Sequence, residues 1–155
     1  MTAPNGTVLS SPPEVRGKRV LVYSLGIEGR DLARWLLANG ATVVVSDTRS
    51  DEALAAAGAA APDGVLRLVT GQPLLDPVGY DLVAVSQSVL RYNPALQRAR
   101  ELGIPVTSQM RLFLQLCPGR TVGITGSSGK STTTALIGAM AREAGAASIV
   151  GGDIG

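Results

Sequence analysis

The chain has 155 residues, 45% hydrophobic and 17% charged, a balance that excludes a disordered chain and fits one ordinary domain, or one small domain plus a piece of another. A net charge of +2, with no Lys/Arg cluster alternating with aromatics, gives no nucleic-acid surface. The single cysteine (Cys117) and the lack of histidine exclude an internal disulfide, a Cys-rich metal site and His-based acid–base, triad or zinc chemistry.

Residues 1–17 read as a loose Ser/Pro/Gly-rich tail, and Met1–Lys18 lacks the apolar core of a signal peptide. Arg19–Leu25 is a buried strand. Gly29–Asn39 carries Leu32, Trp35 and Leu36 at helical spacing, and Gly40 supplies a stop. Ala41–Ser46 is a second strand, and the Ala-rich stretch Asp51–Ala61 is helix-prone up to Pro62-Asp63-Gly64. Leu66–Val69 and Tyr80–Ser86 are further strands. A helix starts at Asn93-Pro94, runs to Leu102 and stops at Gly103. Ile104–Thr107 is a fifth strand, and Gln109–Leu116 forms one or two helical turns in which Met110 and Phe113 read as core contacts. Cys117-Pro118-Gly119 breaks the pattern and marks a domain boundary. Beyond it, Thr121–Thr125 reads as a strand, Lys130–Ala144 as a helix and Ala147–Val150 as another strand. Strands alternating with helices at this spacing predict parallel α/β units. With aromatics at 3%, the core must be built from Val, Leu, Ile and Ala. No apolar run approaches the ~20 residues of a membrane span, so a cytoplasmic protein without membrane insertion is expected.

Two strand-to-helix turns carry glycines. Ser24-Leu25-Gly26-Ile27-Glu28-Gly29 has the form of a dinucleotide fingerprint with Ser24 where the first glycine belongs. Asp47 ends the second strand, where a carboxylate can accept hydrogen bonds from a ribose or base edge, and Thr48 and Arg49 add a hydroxyl and a guanidinium. Such a turn also serves as a plain tight junction, and Asp47 as a turn former. The second turn, Gly126-Ser127-Ser128-Gly129-Lys130-Ser131-Thr132, is a phosphate loop. Glycines leave amides uncovered, the following helix presents its positive end, Lys130 adds a full charge and Ser131 can hold a magnesium ion. The loop departs from the strict Walker pattern, since Ile124 stands where its first glycine belongs.

Together these residues resemble the Mur ligase family, and within it the D-glutamate-adding members. The resemblance is carried by Leu25–Gly29, Ser46-Asp47-Thr48-Arg49, the Thr125–Thr132 loop and the closing Gly151-Gly152-Asp153-Ile154-Gly155. It implies a Rossmann-like parallel-sheet domain (18–117) for a UDP substrate, after the 1–17 tail, and then the truncated start of a P-loop α/β ATPase domain (118–155). It implies that Ile27, Glu28, Asp47, Thr48, Arg49, Ser88 and Asp153 line the UDP-substrate site. Gly126, Ser127, Ser128, Gly129, Lys130, Ser131 and Thr132 would bind ATP phosphates, with Lys130 catalytic and Ser131 on Mg2+. The implied reaction is ATP-dependent joining of UDP-N-acetylmuramoyl-L-alanine to D-glutamate through an acyl phosphate, in peptidoglycan synthesis, by a protein that is a monomer when intact.

Three positions depart from the family pattern: Ser86-Gln87-Ser88 replaces Ser-Pro-Gly, Ser128 replaces the loop Asn, and Asp153 replaces Asn. An aspartate at 153 would repel a diphosphate, though it could accept hydrogen bonds or approach a metal. Two other functions stay open on the residues alone. One is a Rossmann-type nucleotide-sensing module without catalysis. The other is a small P-loop NTPase, which would need a Walker B carboxylate after the loop. Residues 120–155 are expected not to be stable alone, and the 155-residue piece not to ligate by itself.

Overall fold

The runs Val20–Tyr23 and Val43–Val45 are apolar on both faces, and both are buried throughout. That is the signature of strands covered on two sides by crossover helices. The computed structural model, which describes residues 14–152, places them side by side in a five-stranded, wholly parallel sheet of order β3-β2-β1-β4-β5. The strands are β1 (Arg19–Tyr23), β2 (Thr42–Ser46), β3 (Arg67–Val69), β4 (Leu82–Val85) and β5 (Val106–Thr107). The helices are α1 (Ile27–Ala38), α2 (Asp51–Ala56), α3 (Pro94–Glu101), α4 (Gln109–Leu116) and α5 (Lys130–Glu143).

Alternation along the strands divides the core in two. Val20, Val22, Val43, Val45, Leu82 and Ala84 face one side, where Leu32, Ala33 and Leu36 of α1 and Leu112 of α4 close over them. Leu21, Tyr23, Val44 and Val83 face the other, under Leu96 and Ala99 of α3. Trp35 packs on the rim of the first cluster. After β1 the chain turns through α1 to β2 on one side, whereas β4 lies on the opposite side of β1. The strand order therefore reverses between β1 and β4, and a crevice opens at their C-terminal ends.

Several expectations need correction. Of the expected tail, residues 14–17 are described, and Val15 is buried in the core while the Gly17 amide donates to the Gly40 carbonyl. An isolated valine among polar residues found apolar surface to cover. The α2 helix ends at Ala56 rather than Ala61, because Gly58 adopts a left-handed conformation (φ 61°) and Ala59 turns inward, donating its amide to Leu54 O. Met110 and Phe113 are more than half exposed, and Leu112 is the α4 residue that packs.

Contacts divide the chain into two units, Met1–Cys117 and Pro118–Gly155. In the second, neither Thr121–Thr125 nor Ala147–Val150 forms a strand. A strand needs a neighbour to pair with and a parallel sheet needs cover on both faces, and nothing among the described residues of this unit provides them. Its order comes from α5, against whose Gly138 the Val150 side chain rests. Leu136, Ile137 and Met140 of that helix stay exposed. Amide exchange over 121–150 should accordingly run at least about tenfold faster than over 19–47, the difference between a lone helix and a central sheet. Equal protection in dilute solution would contradict this.

Candidate functional site

The sheet brings Ile27, Glu28, Asp47, Thr48, Arg49 and Ser88 to the C-terminal ends of β1, β2 and β4. The turn after β1 is made by two unequal devices. Ser24 takes a left-handed conformation (φ 74°), the geometry that the first glycine of a fingerprint supplies without strain. Its amide donates to Ser46 O at 2.8 Å, which ties the turn to β2. Gly29 sits inside α1 directly against the turn, and a Cβ there would lie 1.9 Å from Ser24 O. The third glycine position is thus set by the contact of helix on strand. Gly26 caps the helix with no side-chain hydrogen bond, so its first turn is left to a ligand or solvent.

Asp47 is buried, and its two oxygens accept four hydrogen bonds. Oδ2 takes the Leu25 amide at 2.6 Å and Arg49 Nη2 at 2.7 Å; Oδ1 takes the Arg49 amide at 2.9 Å and Nε at 3.0 Å. Burial alone would push this carboxyl up. The Arg49 guanidinium, the Leu25 and Arg49 amides and the charge of Arg49 outweigh it and hold the pKa at about 2. Asp47 therefore organises the rim, and the groups that face outward are exposed Thr48 and half-buried Arg49.

Opposite them stands the loop after β4. Ser86 and Ser88 share a hydrogen bond at 2.7 Å, Ser88 Oγ donates to Ser24 Oγ at 3.0 Å, and the Gln87 amide donates to Glu28 Oε2 at 2.8 Å. Ile27 is 74% exposed at the mouth, an apolar side chain held in solvent beside polar neighbours. Ser24, Ser86 and the Gln87 amide join the site although sequence reasoning did not select them. The signal for Ser24 was its place in the fingerprint; a backbone amide leaves none.

In the second unit, Gly129 starts α5 in a left-handed conformation (φ 77°), again with no side-chain cap. Lys130 Nζ folds back to donate to Gly126 O at 2.7 Å, so the ammonium lies over the loop. Ser127, Ser128, Ser131 and Thr132 are exposed around it. The arrangement suits an anion with several oxygens, wrapped by amides and pinned by a cation. Asp153 lies outside the described residues. Among the described residues no group of His, Cys, Asp or Glu could hold a metal ion, and no helix is long and apolar enough to cross a membrane.

No protein-family model matches the chain. Among solved structures, the shikimate dehydrogenase of Aquifex aeolicus aligns with a TM-score of 0.43 and 19% identity, over 66% of this chain and 46% of that one. Curated relatives are far more similar. A UDP-N-acetylmuramoylalanine–D-glutamate ligase of Anaeromyxobacter dehalogenans is 43% identical over 145 residues, which is 92% of this chain and 31% of the relative. Those of Koribacter versatilis (40% identical; 92% of this chain, 32% of the relative) and Clostridium novyi (38%; 91% and 31%) align similarly. The chain spans about a third of their length, within their N-terminal region. By these alignments the chain belongs with the N-terminal region of the UDP-N-acetylmuramoylalanine–D-glutamate ligases of the Mur ligase family.

Proposed function

We propose that this chain is the substrate- and ATP-phosphate-binding portion of a cytoplasmic UDP-N-acetylmuramoyl-L-alanine:D-glutamate ligase. The whole protein would join its substrates in an ATP-dependent reaction, and these 155 residues alone would not. Residues 18–117 form the UDP-substrate domain and 118–155 the beginning of the ATP-binding domain.

In the first unit, Ile27 and Thr48 flank the nucleoside and Arg49, placed by Asp47, faces it. The first turn of α1 and the hydroxyls of Ser24 and Ser88 face the diphosphate, since a helix end offers amides and a positive end to an anion. Asp153 is assigned to the same substrate. An NAD-sensing module is the weaker reading. The acid that such a site offers to ribose is Asp47, whose oxygens are already engaged. Titration with UDP against NAD separates the two, with tighter NAD binding favouring the module.

In the second unit, Gly126–Gly129 present amides, Lys130 neutralises phosphate charge, and Ser131 and Thr132 donate to phosphate oxygens. The donor set fits phosphate better than a free metal ion. Ser131 offers one hydroxyl and, among the described residues, no carboxylate cluster stands near, so Mg2+ would come with the nucleotide and take Ser131 as one ligand. Bound there, the ion would share with Lys130 the charge that develops when a carboxylate attacks the γ-phosphate. Positioning and electrostatics then carry the step that makes the acyl phosphate.

The observation that carries this reading is the ammonium of Lys130 held over the uncapped start of α5. Lys130→Ala should weaken Mg-ATP binding about ten- to hundredfold, as loss of a charge-assisted hydrogen bond predicts. Calorimetric titration that found affinity unchanged would end the assignment.

A further inference from the structure

The crevice proposed for the nucleoside diphosphate holds a negative charge of its own. Glu28 lies in the first turn of α1, where the helix end is positive. Its Oε2 accepts the Gln87 amide at 2.8 Å, a contact between the turn after β1 and the loop after β4. The hydrogen bond from Ser88 Oγ to Ser24 Oγ at 3.0 Å spans the same gap. The two ties bridge the point where the strand order reverses. The nearby Asp47 is neutralised by Arg49, but among the described residues Glu28 forms no ion pair.

We propose that Glu28 is a built-in competitor for the ligand's phosphate: its carboxylate occupies the Gln87 amide, latches the crevice, and leaves when a phosphate oxygen takes its place. The proposal rests on the UDP reading of this crevice. A carboxylate oxygen and a phosphate oxygen are equivalent acceptors for one backbone N–H. Both together would put like charges within a few ångströms of one another, which is unfavourable. Glu28 has a long, half-buried side chain that can swing toward solvent. The Ser24 and Ser88 hydroxyls, which now satisfy one another, are freed by the same movement to donate to the second phosphate. The latch keeps the empty crevice satisfied and sets a threshold that only a polyanionic ligand overcomes.

The test is calorimetric titration of UDP and of uridine into the intact chain and into Glu28→Gln, which keeps the shape and removes the charge. UDP should bind the variant about tenfold tighter, with uridine unchanged, since the competition is with phosphate alone. In Glu28→Ala without ligand, the Gln87 amide should exchange about tenfold faster than in the parent, a readout independent of any nucleotide. UDP binding equal or weaker in Glu28→Gln, or unchanged exchange at Gln87, would overturn the latch while leaving the site assignment standing. Failure of UDP and uridine to bind either protein would instead remove the UDP reading, and the competitor with it.

Discussion

Gly29→Ala should destabilise the first unit by about 3 kcal/mol or more, a large fraction of the roughly 5–15 kcal/mol that holds an ordinary domain folded. The added Cβ would stand 1.9 Å from the Ser24 carbonyl oxygen and 2.9 Å from its carbonyl carbon. Both are backbone atoms, fixed by the Ser24–Ser46 hydrogen bond, so neither can retreat as a flexible side chain would. Alanine is favoured over glycine within a helix by about 1 kcal/mol, which is too little to compensate. Gly26→Ala is the control: its Cβ would meet only Ser24 Oγ, at 3.9 Å, and its φ of −69° suits any residue, so stability should fall by less than about 1 kcal/mol. Urea unfolding followed by Trp35, the only tryptophan and a resident of α1, reads this unit directly. Equal midpoints for the two variants would contradict the close helix–strand contact.

Asp47→Ala should cost about 3 kcal/mol at neutral pH, because it strands the Leu25 amide and the Arg49 guanidinium that four hydrogen bonds now satisfy. The double variant with Arg49→Ala should cost less than the sum of the two single changes, as paired residues do. The pH dependence has a definite sign. Asp47 has a folded-state pKa of about 2, below the ordinary aspartate value near 3.9 expected of the unfolded chain. The unfolded state therefore binds more protons between these values. The contribution, about 2 kcal/mol, is fully present above pH ~4 and is lost as pH falls through about 2. Relative to Asp47→Asn, the parent's advantage in unfolding free energy should shrink over that window. A constant gap from pH 5 to pH 2 would show that the carboxylate is not held as described.

The two glycine turns solve one problem differently. Both open a helix without a side-chain cap, and both leave a left-handed residue in the turn. In the first unit that residue is Ser24, and the turn is tied to β2 and to the loop after β4 by hydrogen bonds. In the second it is Gly129, and the loop is held mainly by the reach of Lys130 to Gly126 O. The first site is thus organised by cross-strand contacts, the second by local chain geometry.

That difference explains what could be read from the residues in order. Val20–Tyr23, Val43–Val45 and Leu82–Val85 show their strands because burial on two faces leaves an unbroken apolar run. Asn93-Pro94 shows where a helix begins, because capping is local. The loop proposed to hold phosphate shows itself for the same reason, since its glycines and Lys130 lie within one short stretch. Other features depend on residues far apart in the chain. The engagement of Asp47 needs Leu25, the clasp of Glu28 needs Gln87, and the burial of Val15 needs the core beneath it. The segments 121–125 and 147–150 carry strand-like sequence, yet a strand is completed only by its neighbours. Local propensity and periodicity are properties of the chain itself; pairing, burial and the partner of each charge are decided only when distant segments meet.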